Sequence, residues 1–240
     1  MAEQVQETNY LTPSEFYTKF LHFLPRIEPF HSENKRKNMS AQDWIYLAKI
    51  MYGCGLRVSE ALKLVKSDFD LEKKLIYIRD AKTGKKIIPK THVAKAKTLP
   101  AEYKKEPQKT TLLPYDIPWI KKFLETKKDG ERLFPVTRQL VWNYFKQAGN
   151  MANLSISEEQ DNRSIEGVWT HLFRKSCAKR MRELGAEIEL VAVKLRHKLG
   201  KGRGSLVTFT YTKKDINALL FFEAKHFAKN PYEHKEGNVK

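Results

Sequence analysis

Apolar residues at helical spacing, bounded by helix caps and glycines, recur along most of this chain of 240 residues. The clearest run begins behind Ser40, a good N-cap residue, and ends at Gly53 and Gly55. Its apolar face comprises Trp44, Leu47, Ala48 and Met51. A chain of this length suits one large domain or two small ones and is long enough to bury a real core. The pattern predicts a mainly helical fold.

An earlier helix is predicted in the stretch LTPSEFYTKFLHFL. Thr12 is a cap residue, Pro13 stands at the first helical position, and Glu15 follows Thr12 by three residues, which is a capping-box pattern. We expect this helix to end before Pro25, because proline cannot continue a helix at that point.

Helices are also predicted along the rest of the chain. They begin around Ser59, at about residues 116–128 and 137–149, at Thr170, at Ile188 and after Thr212, where Asp215 completes a cap pattern. The helix from Thr170 should bury Phe173, Cys177, Met181 and Leu184 and end at Gly185, and the next should bury Ile188, Val191 and Leu195. This packing requires none of His171, Arg174 or Lys175. The polar stretch SISEEQDNRSIEG between two of the helices is predicted to be a loop.

A short β-structure is predicted where the helical pattern is interrupted. KLIYIRD has the composition of a strand, and the following AKTGKK contains the Thr-Gly chemistry of a turn. The return strand is either KIIP, directly after that turn, or TTLLP, which follows the Lys- and Pro-rich residues 90–109. The predicted fold class is therefore α+β, mainly α with a small antiparallel sheet.

The charge of the chain points to a polyanionic partner. Lys and Arg number 45 against 28 Asp and Glu, which gives a formal charge of +17. Nucleic acid is the first candidate; a membrane surface comes second, because the basic residues are spread along the whole chain. Two cysteines, Cys54 and Cys177, are too few for a disulfide framework or a structural zinc site, and Cys177 is predicted to be a core residue. With no signal peptide and no apolar run of about 18 residues, we expect an intracellular protein.

One pair of residues stands out from the helical pattern. His171 and Arg174 are three residues apart, so on a helix they project from one face and can contact the same small group. An arginine guanidinium matches phosphate oxygens geometrically, and a histidine can donate a hydrogen bond or carry a proton. Alone, such a pair is more typical of a solvated helix face than of a phosphate site.

Four segments taken together resemble the tyrosine recombinase, or phage integrase, family. They are GCGLRVSEALKL, HLFRKSCA, KLRHKLG and TYT, and they lie in the family's order within roughly residues 40–225. The resemblance implies the tyrosine recombinase catalytic-domain fold. It also implies an active site in which the matching residues are Arg57, His171, Arg174, His197 and Tyr211.

The roles implied by the resemblance have physical reasons. Arg57, Arg174 and His197 would hold the non-bridging phosphate oxygens and stabilise the charge that grows in the transition state. Tyr211 would attack the phosphorus and become linked to the 3′ phosphate, while His171 would act as a base or orient the phosphate. No metal, ATP or other cofactor is required. The gap from His197 to Tyr211 is longer than the family's usual gap, which leaves cleavage in cis and in trans open.

The family also uses a lysine on a β-hairpin turn as general acid. Lys82 is the matching residue in AKTGKK, and Lys109 is the alternative if QKTTLLP supplies the return strand. Arg196 replaces a glycine of the family pattern and adds a positive charge, so we expect it to contact the DNA backbone. The other residues expected to bind DNA are Lys85, Lys86, Lys175, Lys198, Lys201 and Arg203.

The chain departs from the family at its N-terminus, where only 56 residues precede Arg57. We expect a short helical segment and linker at 1–39, the catalytic domain at 40–230 and a disordered tail at 231–240. The chain is interpreted as a minimal member, with a catalytic fragment as the alternative. The resemblance implies double-stranded DNA with specific terminal or attachment sites as substrate, and a homo-oligomer, dimer or tetramer, on that DNA.

Several interpretations of function follow. The first is a site-specific recombinase, integrase or transposase of a prokaryotic mobile element, located with the nucleoid in the cytoplasm; the Lys- and Ile-rich composition is compatible with an archaeal source. A type IB topoisomerase and an inactive DNA-binding relative are the alternatives. No membrane or small-molecule partner is expected.

Overall fold

A computed structural model describes residues 9–27, 39–78, 108–154, 156–160, 163–196 and 216–232. The first helical segment consists of a π-helical stretch at Glu15–Phe20, the α-helical turn α1 (Leu21–Phe23) and a 3-10 turn at Leu24–Arg26. The predicted capping box is confirmed, since the Thr12 N–H donates to Glu15 Oε2 at 2.9 Å and the Glu15 N–H to Thr12 Oγ1 at 3.3 Å. The predicted end before Pro25 is confirmed for the α-helix, which ends at Phe23, and the 3-10 turn that follows accommodates proline near its start.

The next two helices lead into the candidate site. Helix α2 (Ala41–Cys54) begins at the capping box of Ser40 and ends at Gly55, whose backbone adopts the left-handed conformation with φ 60°. A Cβ at Gly55 would lie 2.4 Å from Leu195 Cδ2, so glycine is required by both conformation and space. The short helix α3 (Val58–Ala61) follows, with Arg57 as its N-cap residue. Helix α2 begins and ends where the sequence predicts, and α3 begins one residue before the predicted Ser59.

A three-stranded antiparallel sheet follows a 3-10 turn at Lys66–Asp68. Its strands are β1 (Phe69–Asp70), β2 (Leu75–Ile78) and β3 (Gln108–Thr111), in that order. Strand β3 pairs with β2 along its whole length, from Leu75 opposite Thr111 to Ile78 opposite Gln108. The return strand is therefore the one predicted as the alternative, after the Lys-rich stretch, and KIIP lies outside the described residues.

The middle of the chain contains two helices and a hairpin. A 3-10 turn at Pro114–Asp116 precedes α4 (Ile117–Glu125), and α5 (Arg138–Met151) follows; both helices were predicted. The stretch predicted as a polar loop instead forms the antiparallel strands β4 (Ser157–Gln160) and β5 (Arg163–Glu166). Strand pairing satisfies the backbone of this polar segment, which its side-chain pattern does not reveal.

The last three helices are α6 (Leu172–Glu183), α7 (Ile188–Leu195) and α8 (Ile216–His226). Phe173, Cys177 and Met181 are buried on α6, as predicted. Leu184 and Ile188 were predicted to be buried, but they are 36% and 59% exposed, because they flank the turn between α6 and α7. Thr212 and Asp215, the predicted cap of α8, lie outside the described residues.

The core is rich in aromatic rings and includes the N-terminal helical segment. Phe16 stacks on Tyr52 of α2 with ring centroids 3.9 Å apart, and the Leu11 N–H donates to Ser176 Oγ of α6 at 2.8 Å. A second cluster joins α6, α7 and α8 around Leu219. Residues 9–27 thus pack directly on the helices that carry the site. Among the residues that the structure describes, no helix is long and apolar enough to cross a membrane.

Candidate active site

Arg174 lies at the centre of the candidate site and is almost completely buried. Its Nη1 donates to the Gly55 carbonyl at 2.5 Å, and its Nη2 donates to the Leu195 carbonyl. These carbonyls belong to the C-terminal ends of α2 and α7, where carbonyl groups lack helical partners and the helix dipoles are negative. The prediction that the packing of α6 requires no Arg174 is wrong, because this side chain joins two helix ends.

Arg57 is held at the start of α3 by Glu60. The Arg57 N–H donates to Glu60 Oε2 at 2.8 Å, and Arg57 Nη1 forms an ion pair with Glu60 Oε1 at 2.9 Å. The Arg57 side chain is 27% exposed, whereas Glu60 is buried. The guanidinium of Arg57 is therefore fixed on one side by Glu60 and remains accessible to an anion.

Arg196 brings a third guanidinium to the same carboxylate. Its Nη2 lies 2.6 Å from Glu60 Oε2, and its Nη1 donates to the Lys194 carbonyl at 3.1 Å. The residue is buried and ends α7 in the left-handed backbone conformation. The structure thus brings Arg57, Arg174 and Arg196 together around Glu60.

His171 and Lys175 lie near Arg174 along α6. His171 is the N-cap residue of α6 and is exposed, and its carbonyl accepts from the N–H groups of Arg174 and Lys175. Lys175 is half-buried. The predicted motif of His171 and Arg174 therefore combines an exposed imidazole with a buried guanidinium on the first turn of one helix.

The cluster carries more positive than negative charge in a buried setting. Burial, followed by the charges of Arg196 and Arg57, lowers the pKa of Arg174 to about 10. Burial would raise the pKa of Glu60, but Arg196 and Arg57 outweigh that effect and lower it, so Glu60 is ionised. The Nε atoms of Arg174 and Arg196 are buried and have no hydrogen-bond partner among the described residues. Arg57, the partly exposed guanidinium of the cluster, suits an anion with several oxygens, such as a phosphate.

The remaining predicted site residues lie outside the described residues: Lys82, Lys85, Lys86, His197, Lys198, Lys201, Arg203 and Tyr211. Their positions stay predictions. The described chain reaches Arg196, directly before His197, and resumes at Ile216. Lys109, the alternative general acid, is an exposed residue of β3 opposite Tyr77. Within the described ranges, no three His, Cys, Asp or Glu side chains are placed to hold a metal ion.

Sequence reasoning missed two acidic residues that matter here. Glu60 follows Arg57 by three residues at a helix start, so the capping-box spacing could have identified it. Glu223 forms a fully buried ion pair with Lys194 at 2.7 Å, which joins α7 to α8. No local pattern indicates that pair, because the residues are 29 positions apart.

The sequence matches a family model and several curated proteins. The model of the phage integrase family matches residues 24–213. Tyrosine recombinase XerA from Thermococcus onnurineus (strain NA1) is 28% identical over 159 residues, which cover 62% of this chain and 44% of that protein. XerA from Pyrococcus furiosus is 29% identical over 155 residues, with the same shares of both chains. The chain spans less than half the length of these curated relatives.

Solved structures show the same fold. The chain is similar to a XerA recombinase with a TM-score of 0.50 and 17% identity, covering 92% of this chain and 66% of the other. It is also similar to the Tn1549 transposon integrase in complex with a circular intermediate DNA, with a TM-score of 0.51 and 16% identity, covering 92% and 63%. The predicted fold class, mainly helical with a small antiparallel sheet, is confirmed.

Proposed function

The chain belongs to the phage integrase family, and on that premise we propose that it cleaves and rejoins DNA strands through a 3′-phosphotyrosine intermediate. The observation that carries this proposal is the cluster of the partly exposed Arg57 and the buried Arg174 and Arg196 around the single carboxylate of Glu60. Such a cluster is complementary to a phosphodiester that gains negative charge as it is attacked.

We assign the chemical steps to residues as follows. Arg57 and Arg174 hold the non-bridging oxygens of the scissile phosphate, together with His197. The Tyr211 oxygen attacks the phosphorus, the bond to the 5′ oxygen breaks, and a lysine gives that oxygen a proton. We assign this step to Lys82, which the family resemblance implies, with Lys109 of the observed return strand β3 as the alternative. His171 accepts the proton of Tyr211 or orients the phosphate. The phosphotyrosine bond conserves the energy of the broken phosphodiester, so a 5′ hydroxyl of a second strand restores DNA without another energy source.

The specific role we propose is that of a recombinase, integrase or transposase acting at the attachment or terminal sites of a mobile element. The similar proteins include recombinases and a transposon integrase in complex with DNA, which supports double-stranded DNA as the substrate. The formal charge of +17 also suits a phosphate-rich partner. We further propose action as a homo-oligomer on DNA in the nucleoid.

The test is cleavage of a nicked duplex of the element's own terminal DNA. Cleavage releases a short fragment that carries the 5′ hydroxyl, and because this fragment diffuses away, the strand cannot be rejoined and the cleaved intermediate is trapped. We expect a covalent protein–DNA band that survives denaturation, forms in EDTA and is lost in Tyr211→Phe. Tyr10→Phe is the matched control, since Tyr10 bonds to Glu183, at the opposite end of α6 from Arg174. This variant should keep the band. A band retained in Tyr211→Phe would exclude Tyr211 as nucleophile.

The products separate the proposed role from its alternatives. A recombinase joins strands from two sites, so flanking sequences are exchanged, whereas a type IB topoisomerase relaxes supercoils without exchange. A parent protein that binds the DNA but never forms the covalent band would be an inactive relative.

A further inference from the structure

Arg196 occupies a backbone position that favours glycine. Its φ is 56° and its ψ is 34°, at the left-handed end of α7, where a residue without a Cβ is accommodated without steric cost. The chain nevertheless places its bulkiest basic residue there. Because backbone strain at a non-glycine residue is retained beside a cluster of charged residues, the side chain of Arg196 is expected to have a role there.

The side chain of Arg196 is anchored rather than presented to solvent. Its side chain is 3% exposed, with Nη2 on Glu60 Oε2 at 2.6 Å and Nη1 on the Lys194 carbonyl at 3.1 Å. These contacts therefore favour a role through Glu60.

Glu60 divides its two oxygens between the arginines. Oε1 pairs with Arg57 Nη1, while Oε2 accepts from the Arg57 N–H and from Arg196. If Arg196 were absent, both carboxylate oxygens would be available to the Arg57 guanidinium as a bidentate pair. Such a pair would compete with a phosphate for the same donors.

We propose that Arg196 is a positioning residue that holds Glu60 in place and thereby leaves the outer donors of Arg57 to the scissile phosphate. This inference rests on the proposed function. It differs from the direct backbone contact that the sequence predicts for Arg196, because the guanidinium acts on Glu60 and only through it on DNA.

The test compares Arg196→Gly and Arg196→Lys in single-turnover covalent-complex formation on the nicked duplex, over a range of DNA and salt concentrations. We expect Arg196→Gly to lower the maximal rate by about tenfold to a hundredfold, as for other losses of orientation. The dissociation constant and the slope of its logarithm against log salt should stay the same, and Arg196→Lys should recover most of the rate, since its ammonium can also reach Glu60.

Lys74→Gly provides the matched control. Lys74 also has a left-handed backbone, with φ 57°, and lies in the turn before β2. The same substitution there removes one charge and the same backbone strain outside the cluster, so its rate should equal that of the parent. If Arg196→Gly instead binds DNA more weakly, and the slope of its log dissociation constant against log salt is smaller by about one, the proposal is overturned in favour of direct phosphate contact. An unchanged maximal rate would also overturn it.

A second measurement tests this inference without measuring DNA cleavage. A negative result would then contradict the role of Arg196 whether or not the proposed function is correct. The Glu60 carboxyl carbon is titrated by NMR in the parent and in Arg196→Gly. We expect a higher pKa of Glu60 in the variant, with displaced Arg57 guanidinium signals. If the pKa of Glu60 and the Arg57 signals are unchanged in the variant, Arg196 does not hold Glu60, and this conclusion does not depend on whether the parent cleaves DNA. Where Arg196→Gly does not fold, Arg196→Met replaces it in both measurements.

Discussion

Arg174 Nη1 donates to the carbonyl of Gly55 at 2.5 Å across 119 positions of sequence. The same guanidinium donates through Nη2 to Leu195, the last residue of α7. One side chain therefore fixes the C-terminal ends of α2 and α7 next to each other. Because Arg57 follows α2 closely and Arg196 ends α7, this contact places the other two arginines of the cluster.

Arg174→Lys should destabilise the protein as well as abolish cleavage. An ammonium keeps the charge, but it lacks the planar geometry that reaches two carbonyls in different directions, so one carbonyl is left unsatisfied. We expect the free energy of unfolding to fall by about 1–3 kcal/mol in urea denaturation. Arg182→Lys is the control on the same helix: Arg182 is exposed and bonds one carbonyl, that of Ala186, at 2.7 Å. A parent-like stability of Arg174→Lys would contradict this role.

The buried pair of Lys194 and Glu223 should be far more costly to break than to replace. Lys194 Nζ also donates to the Thr111 carbonyl at 2.9 Å, and the pair is fully buried. Glu223→Leu alone leaves a buried, unpaired ammonium, so we expect a loss of about 3–5 kcal/mol in unfolding free energy. Lys194→Met alone should cost a similar amount.

The double variant Lys194→Met with Glu223→Leu should recover to within about 1 kcal/mol of the parent, because no buried charge remains. A double-mutant cycle by urea denaturation measures the coupling between the two residues. Additive losses in the double variant would show that the ion pair is not the source of the cost. Since α8 follows Tyr211, the single variants should also impair cleavage.

Asp116 should make stability fall as pH rises. The carboxyl is buried against α2 and accepts from Trp119 Nε1 at 2.7 Å. Burial raises its pKa from 3.8 to about 6, against the opposing effects of Trp119 and Lys49. With the folded pKa above the unfolded one, this group's contribution to stability is fully present below about pH 4 and is lost as pH rises through about 6.

Asp116→Asn tests that dependence, since the amide oxygen still accepts from Trp119 but does not titrate. We expect the unfolding free energy of the variant, relative to the parent, to rise by about 2 kcal/mol between pH 4 and pH 7. Glu60 has a lowered pKa, and its contribution is lost as pH falls, but it is present in both proteins and cancels in the difference. A difference independent of pH would refute the raised pKa.

The identity of the general acid is testable with a sulfur leaving group. A substrate with sulfur at the 5′ bridging position needs no proton for departure of that group. We expect Lys82→Ala to slow cleavage of the oxygen substrate by about 10²–10⁴-fold and to cleave the sulfur substrate at the parent rate. Lys109→Ala, in β3, should cleave both substrates normally. The reverse pattern would assign the acid to Lys109.

Local signals in the sequence were sufficient for most of the secondary structure and for part of the site. Ser40 and Gly55 bound α2 as predicted, because caps depend on contacts within one helical turn. The spacing of His171 and Arg174 likewise places them on one helical turn. The hairpin formed by β4 and β5 was missed, since its polar side chains do not alternate in a way that indicates a strand.

Tertiary structure decided what those residues do. The burial of Arg174 depends on carbonyls that α2 and α7 present from distant parts of the chain, and no spacing within α6 reveals them. The pairing of β2 with β3 and the sharing of Glu60 by two arginines are likewise long-range. The sequence by itself determined where helices begin and which charges occur; only the fold determined which charges are buried, because desolvation and pairing depend on groups that folding brings together.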